Sequence, residues 1–209
     1  MAMFEDRVDA ANKLCPKLKA FSGNKDVIVV GLTRGGVVTA KAISDCLKLK
    51  LKALVVKKIP APSNEELAIG AMASSKDLYW NKGLLKELNI GSGDKAKLVL
   101  QKQNEIKILE KELGIKKQNK DFRGKTIILV DDGVATGASV IAAQKYLKKN
   151  KAKKIILATP VIALDTLVNI KRYFDRIFYL IKRRDFYAVG EFYNNFEQIS
   201  NEEVAKILS

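Results

Sequence analysis

The run Thr126-Ile127-Ile128-Leu129-Val130-Asp131-Asp132-Gly133-Val134-Ala135-Thr136-Gly137-Ala138-Ser139 sets an aliphatic segment, two adjacent carboxylates and a small-residue turn in immediate succession. Ile127 to Asp131 reads as a buried strand, because a short β-branched run without polar alternation has no side to offer water. The small residues after it form a turn that opens a helix. Working outward, Val27-Ile28-Val29-Val30-Gly31 is a second run of the same kind, followed by a turn and a helix over Val37 to Leu49. Ala53 to Lys58, Lys154 to Thr159 and Ile177 to Ile181 add strands, and Phe4 to Phe21 adds an opening helix. Strand, crossover helix and parallel strand in repetition predict an α/β fold with a doubly wound, mostly parallel sheet. Ligands of such sheets lie outside the carboxyl ends of the strands, so functional residues are sought just after each strand.

The alternation breaks between Pro60 and Phe122. Leu67, Ile69, Ala71 and Ala73 at period two, then a Ser-Ser-Lys-Asp turn and Leu78-Tyr79-Trp80, predict a hairpin. Asp94 to Leu113 carries Val99, Ile106, Leu109 and Leu113 on one helical face. The expectation is a single domain over residues 1–209, with a hairpin-plus-helix flap inserted at about 60–122 and a small C-terminal hood at about 182–209.

Of the 209 residues, 47% are hydrophobic and only 4 are proline, enough apolar material for one substantial core. No stretch approaches the roughly 20 apolar residues of a membrane helix. The opening MAMFEDRVDAANK carries acids where a secretory leader is apolar, so a cytoplasmic protein with no membrane partner is expected. Cys15 and Cys46 lie far apart without CxxC spacing, which speaks against a disulfide or a zinc site and predicts free thiols. The chain has no histidine, which excludes an imidazole base, a Ser-His or Cys-His pair and a His-ligated metal. Its formal charge is +15, with six lysines and no acid between Lys145 and Lys154. Such a surplus is commonly a solvated face; it can also serve nucleic acid or concentrate a polyanionic small substrate. No paired-aromatic RNA-reading motif is present, so nucleic acid is not an expected partner.

Small residues let backbone N–H groups converge on an anion, and a helix N-terminus adds about half a positive charge. Ala135, Thr136, Gly137, Ala138 and Ser139 therefore form a candidate phosphate cradle, with the Thr136 and Ser139 hydroxyls as further donors. Asp131 and Asp132 can hold ribose hydroxyls by charge-assisted hydrogen bonds and seat a hydrated Mg2+ through water. After the first strand, Gly31-Leu32-Thr33-Arg34-Gly35-Gly36 offers a tight turn and an arginine able to grip a phosphate bidentately.

The segment from Thr126 to Ser139 resembles the phosphoribosyl-pyrophosphate motif of type I phosphoribosyltransferases, in which four apolar residues precede two acids and a Thr-Gly turn. The resemblance extends along the chain to a little-characterised bacterial branch of that family. It is carried by Leu-x-Arg-Gly-Gly-Val near residue 32, Ala-Pro-x-Asn-x-Glu-Leu-Ala-Ile-Gly-Ala near 61, Val-Asp-Asp-Gly-x-Ala-Thr-Gly at 130 and Phe-Tyr-Ala-Val-Gly at 186. It implies that Asp131 and Asp132 hold the ribose and the metal, that Ala135 to Ser139 hold the 5-phosphate, and that Thr33, Arg34, Gly35 and Gly36 form the pyrophosphate loop. Thr33 stands where proline is common. Lys57 and Lys58 are similar in position to residues that relatives direct at pyrophosphate.

The implied function is magnesium-dependent transfer of phosphoribose to an acceptor, with pyrophosphate as product; a homodimer is common among relatives. The acceptor signals conflict. Enzymes that use 6-oxopurines carry an aspartate where this chain has Ala135, which argues against them. Leu180-Ile181-Lys182-Arg183 and Phe186-Tyr187-Ala188-Val189-Gly190 resemble their base-contacting segments, with Lys182 on a base carbonyl, Tyr187 stacked on the ring and Ala188 offering its backbone. Alternatively Tyr187, Phe192 and Tyr193 are core aromatics that pack the last helix. A nucleobase acceptor, with purine favoured, is the leading expectation. A regulator that binds phosphoribosyl pyrophosphate or a nucleotide, and possibly nucleic acid, is the competing one. A Rossmann oxidoreductase would need GxGxxG after the first strand, which Leu32 to Gly36 does not supply.

Overall fold

The computed structural model describes residues 3–62, 64–74, 77–115 and 121–209. Its elements run α1 (Arg7–Leu14), β1 (Val27–Leu32), α2 (Gly35–Leu47), β2 (Lys50–Leu54), β3 (Val56–Ala61), β4 (Asn64–Ala73) and β5 (Asp77–Trp80). They continue with α3 (Lys82–Glu87), α4 (Ser92–Glu112), β6 (Thr126–Val130), α5 (Ala138–Lys149), β7 (Lys154–Ala163), α6 (Leu164–Ile170), β8 (Arg176–Arg183) and α7 (Asn201–Leu208). Five strands form a parallel sheet in the order β2-β1-β6-β7-β8, as the sequence predicts. Chain order reverses between β1 and β6, whose register pairs Gly31 with Val130, so the loops that leave these two strands open side by side. That is the switch point at which doubly wound sheets bind ligands.

Alternate residues of the central strands face opposite ways, and each face is covered. Val27, Val29, Ile128 and Val130 pack with Leu14 of α1 and with Ala40 and Ile43 of α2. Ile28, Val30, Ile127 and Leu129 pack with Val140 and Ile141 of α5. The continuous apolar runs are thus buried on both sides.

Three sequence expectations change. Ala53 to Lys58 is not one strand: β2 ends at Leu54, pairing with β1, and β3 begins at Val56 in a separate antiparallel sheet of order β3-β4-β5. The chain changes partners around Val55, whose carbonyl accepts from Ser74 N–H, and an unbroken aliphatic run cannot show that change. The opening helix stops at Leu14 and continues as a 3-10 turn over Cys15–Phe21, because Pro16 has no N–H for the α-helical ladder. Cys15 and Cys46 are not free thiols but a disulfide, with Cα atoms 6.7 Å apart. The end of α1 and the end of α2 pack on the same sheet face, which their spacing of 31 residues does not reveal.

The β4–β5 hairpin forms with Gly70 opposite Trp80 and Ala71 opposite Tyr79. Ser75 and Lys76 of its expected turn, and Ser63 of the Ala-Pro-x-Asn motif, lie outside the described residues. On α4, Ile106, Leu109 and the following Leu113 are buried against Ile59, Ile69 and Met72, while Val99 is only partly covered. Val204 of α7 joins this cluster, and Phe192 and Tyr193 pack on Phe4, so the C-terminal segment touches both the small sheet and the N-terminus. Among the described residues no helix is long and apolar enough to cross a membrane.

Candidate active site

Strand β6 ends at Val130 and delivers Asp131 and Asp132 to the mouth of the sheet. The chain bends at Asp132 and meets β7 again at Val134, which exchanges hydrogen bonds with it through Val161 and Ala163. It then turns through Gly137 at φ 77°, a left-handed conformation that favours glycine, and enters α5. The first N–H groups of α5 consequently open onto the space above the acidic pair. The Thr166 hydroxyl donates to the Ala135 carbonyl and holds the turn from α6.

The loop after β1 closes against the same pair. A Cβ on Gly35 would stand 1.9 Å from Asp132 Oδ2, and one on Gly36 would stand 2.9 Å from Asp131 Oδ1, so only glycine admits this approach. The Thr33–Arg34 peptide is cis. Between the loops lies a cavity of about 370 Å³ lined by Asp131, Asp132, the whole stretch Ala135 to Ser139, Thr33, Arg34, Gly35 and Lys58. Gly36 lies beneath Asp131 rather than in the wall.

Lys57 and Lys58 part company, since neighbours on a strand point to opposite faces. Lys58 faces the cavity, whereas Lys57 lies 3.9 Å from Glu105 of α4 and lines a second hollow behind the loop. Lys182, Tyr187 and Ala188 are not in the cavity wall. All three are exposed, Tyr187 at 83%, which places that ring neither over the cavity nor in the core. Phe192 and Tyr193 are the buried aromatics of this segment.

Four further residues complete the site, and sequence reasoning singled out neither Arg7 nor Phe196 among them. Arg7 of α1 sends Nε to Asp132 Oδ2 at 2.7 Å and Nη1 to the Glu197 carbonyl at 2.9 Å, with its guanidinium 3.8 Å above the Phe196 ring. The Tyr193 hydroxyl donates to the Asp132 carbonyl at 2.5 Å. Val189 and Phe196 close the cavity from the C-terminal side. Gly133 makes that closure possible, because a Cβ there would meet Val189 Cγ1 at 2.3 Å. No local pattern points from Arg7 to a partner 125 positions away.

Enclosure at the cavity floor pushes the Asp131 carboxyl well above the usual carboxylate range; the charge of Asp132 adds to this and Lys58 opposes it. The two acids therefore differ in setting: burial raises the Asp131 carboxyl, while Asp132 is ion-paired with Arg7. Burial, with the Asp132 charge second, also raises the Tyr193 phenol, which keeps it a donor. The result is one pocket with an acidic floor, a helix N-terminus on one side and two cations, Arg34 and Lys58, on another.

A model of the phosphoribosyl transferase domain matches residues 5–196. Two provisionally named phosphoribosyl transferases, from two strains of Mycobacterium tuberculosis, are 33% identical over the whole of this chain. The chain spans about half the length of these curated relatives, covering 47% of each. The crystal structure of TT1426 from Thermus thermophilus superposes with a TM-score of 0.80 at 29% identity, covering 100% of this chain and 98% of that one. A hypoxanthine phosphoribosyltransferase from Staphylococcus aureus shares the fold alone, with a TM-score of 0.50 and 11% identity over 88% of this chain and 78% of its own. Because the family match begins just before Arg7 and ends at Phe196, taking in the cavity wall from first residue to last, the chain belongs to the phosphoribosyltransferase family.

Proposed function

We propose that the cavity binds 5-phosphoribosyl 1-pyrophosphate and that the protein transfers its phosphoribosyl group to a small acceptor, a nucleobase, with release of pyrophosphate. The observation that carries this reading is the convergence of the acidic pair, the Ala135–Ser139 turn, Arg34 and Lys58 on one cavity from three separate segments. Each part of the substrate then has a matched wall. The 5-phosphate takes the N–H groups at the start of α5 and the Thr136 and Ser139 hydroxyls. The ribose hydroxyls lie over Asp131 and Asp132. The pyrophosphate lies toward Arg34 and Lys58.

In the reaction an acceptor nitrogen bonds to the anomeric carbon as the bond to pyrophosphate oxygen breaks. The pyrophosphate leaves with the electron pair, and the proton of the acceptor nitrogen passes to the leaving pyrophosphate or to solvent. Positioning and preorganised charge supply the catalysis, with no protein nucleophile, which suits a chain without histidine. Among the described residues no cluster of three or more Asp, Glu, Cys or His ligands exists, and Asp132 already engages Arg7. That donor set fits a hydrated magnesium held chiefly by substrate phosphates, with Asp131 and Asp132 reaching it through water. Held there by Asp131 and Asp132, a magnesium ion would supply dispersal of the charge on the leaving pyrophosphate.

The wall available to an acceptor is formed by Val189 and Phe196. Lys182, Tyr187 and Ala188 stand outside the cavity, so the geometry lends no weight to the 6-oxopurine signature. The test is pyrophosphate release from phosphoribosyl pyrophosphate with magnesium and a panel of purines and pyrimidines, beside calorimetric binding of the donor alone. Asp131→Asn/Asp132→Asn should lose both signals. Unchanged donor binding in that variant overturns the site assignment; donor binding without turnover on any base removes the nucleobase.

A further inference from the structure

The lysines between Lys145 and Lys154 have no part in the cavity; Lys145 and Lys149 of α5 turn to the Leu78 carbonyl and to Asp77 of β5, and the fold sets Lys151, Lys153 and Lys154 at the opposite end of the sheet. All five strands of the main sheet are parallel, so they share one starting edge, separated from the acidic pair by about 13 Å of strand along β6. Lys25 precedes β1 and Lys50 opens β2. Arg123 and Lys125 precede β6, Lys151 and Lys153 precede β7, and Lys154 and Arg176 open β7 and β8. Backbone hydrogen bonds fix these segments side by side: Gly124 N–H donates to the Lys151 carbonyl at 2.9 Å, Lys153 to Lys125 at 2.8 Å and Thr126 to Asp26 at 2.9 Å. Cations from segments far apart in sequence thus form one row along the edge.

Acidic groups on this edge are already engaged. Asp26 pairs with Lys125 at 2.6 Å, Asp121 pairs with Lys52 at 2.6 Å, and Asp175 accepts from the Ile155 amide at 2.7 Å. Lys25, Lys50, Arg123, Lys151, Lys153 and Lys154 have no carboxylate within ion-pair distance among the described residues. All six are exposed.

We propose that this edge docks the phosphate backbone of a nucleic-acid duplex, independently of the transferase site. Four inter-strand spacings of about 4.8 Å make a row of about 19 Å, the axial rise of about five phosphates on one strand of a duplex. None of the exposed large hydrophobic residues, Met3, Val8, Leu100, Ile108, Val168 and Tyr187, belongs to the edge. It therefore lacks the apolar anchors of a membrane-surface element or of a protein interface core. What remains is a rigid array of cations, which reads phosphates and not sequence.

The experiment is fluorescence anisotropy of a labelled duplex, as DNA and as RNA, titrated with the full chain between about 50 and 200 mM salt. The wild type should bind in the micromolar range, with log affinity falling against log salt at a slope of about −4. Lys151→Glu/Lys153→Glu/Lys154→Glu should weaken binding at least tenfold and flatten the slope by about three. Lys86→Glu/Lys95→Glu, which reverses charge on the flap helices, should change both only slightly, and Asp131→Asn/Asp132→Asn not at all. Circular dichroism and thermal melts establish that each variant is folded. Three results overturn the assignment: no binding at about 50 mM salt, equal loss in the edge and flap variants, or anionic vesicles bound as tightly as the duplex.

Discussion

Replacing Arg7 by methionine keeps the aliphatic stem and removes the guanidinium from between Asp132, the Glu197 carbonyl and the Phe196 ring. The side chains of Arg7 and Asp132 are only 10% and 14% exposed, so solvent screens their pairing little. Removing one member of a buried pair typically costs about 3–5 kcal/mol, because the other charge stays behind without compensation. Asp132 borders a cavity that water can enter, which places the expectation near the lower end, about 3 kcal/mol. Urea unfolding followed by circular dichroism measures it. A double-mutant cycle with Asp132→Asn isolates the pair, with an expected coupling of about 1.5–3 kcal/mol for a hydrogen bond between charged partners. Arg7→Lys should recover part of the stability but not the fork that reaches both Asp132 and Glu197. Donor binding should fall at least tenfold, about 1.4 kcal/mol, in Arg7→Met as Asp132 loses its anchor. A coupling below about 0.5 kcal/mol would show that the two groups act independently and refute the clamp.

Lys58→Ala should weaken donor binding by about 10- to 100-fold, the worth of a hydrogen bond to a charged group, while Lys57→Ala should stay within about threefold; calorimetry distinguishes the two faces of β3, and equal losses contradict them. Since the folded state raises the Asp131 carboxyl, it binds more protons than the unfolded chain at pH values between the unfolded and folded titrations. The Asp131 contribution to stability is therefore complete below about pH 4 and declines as pH rises through the folded titration. Asp131→Asn should flatten that decline and stabilise the protein at neutral pH while removing donor binding; urea midpoints at several pH values report it, and an unaltered pH profile counts against the assignment. Cys46→Ser should cost about 3–4 kcal/mol, the loop-closure value for cysteines 31 residues apart. A reductant should produce the same loss in the wild type and none in the variant, and a wild type indifferent to reductant speaks against the bond.

Much of the site is written locally. Thr126 to Ser139 contains the strand, its terminal acids, the turn and the helix start, and each is fixed by neighbours within a few residues. The unbroken apolar runs at Val27, Lys154 and Ile177 likewise reflect short-range burial, which makes the parallel sheet legible. Lys57 and Lys58 mark the limit: that neighbours diverge follows from strand geometry, but which of them faces the cavity depends on the partner change at Val55.

The sequence by itself determines the acidic floor, the small-residue turn and the glycines that let the two loops meet, because backbone geometry and residue size act locally. Only the tertiary structure decides that Arg7 reaches Asp132, that Cys15 meets Cys46, that Phe196 and not Tyr187 closes the cavity, and that scattered lysines form one edge. Those pairings join positions brought together by the packing of whole elements, and no spacing along the chain encodes the distance at which two packed faces come to rest.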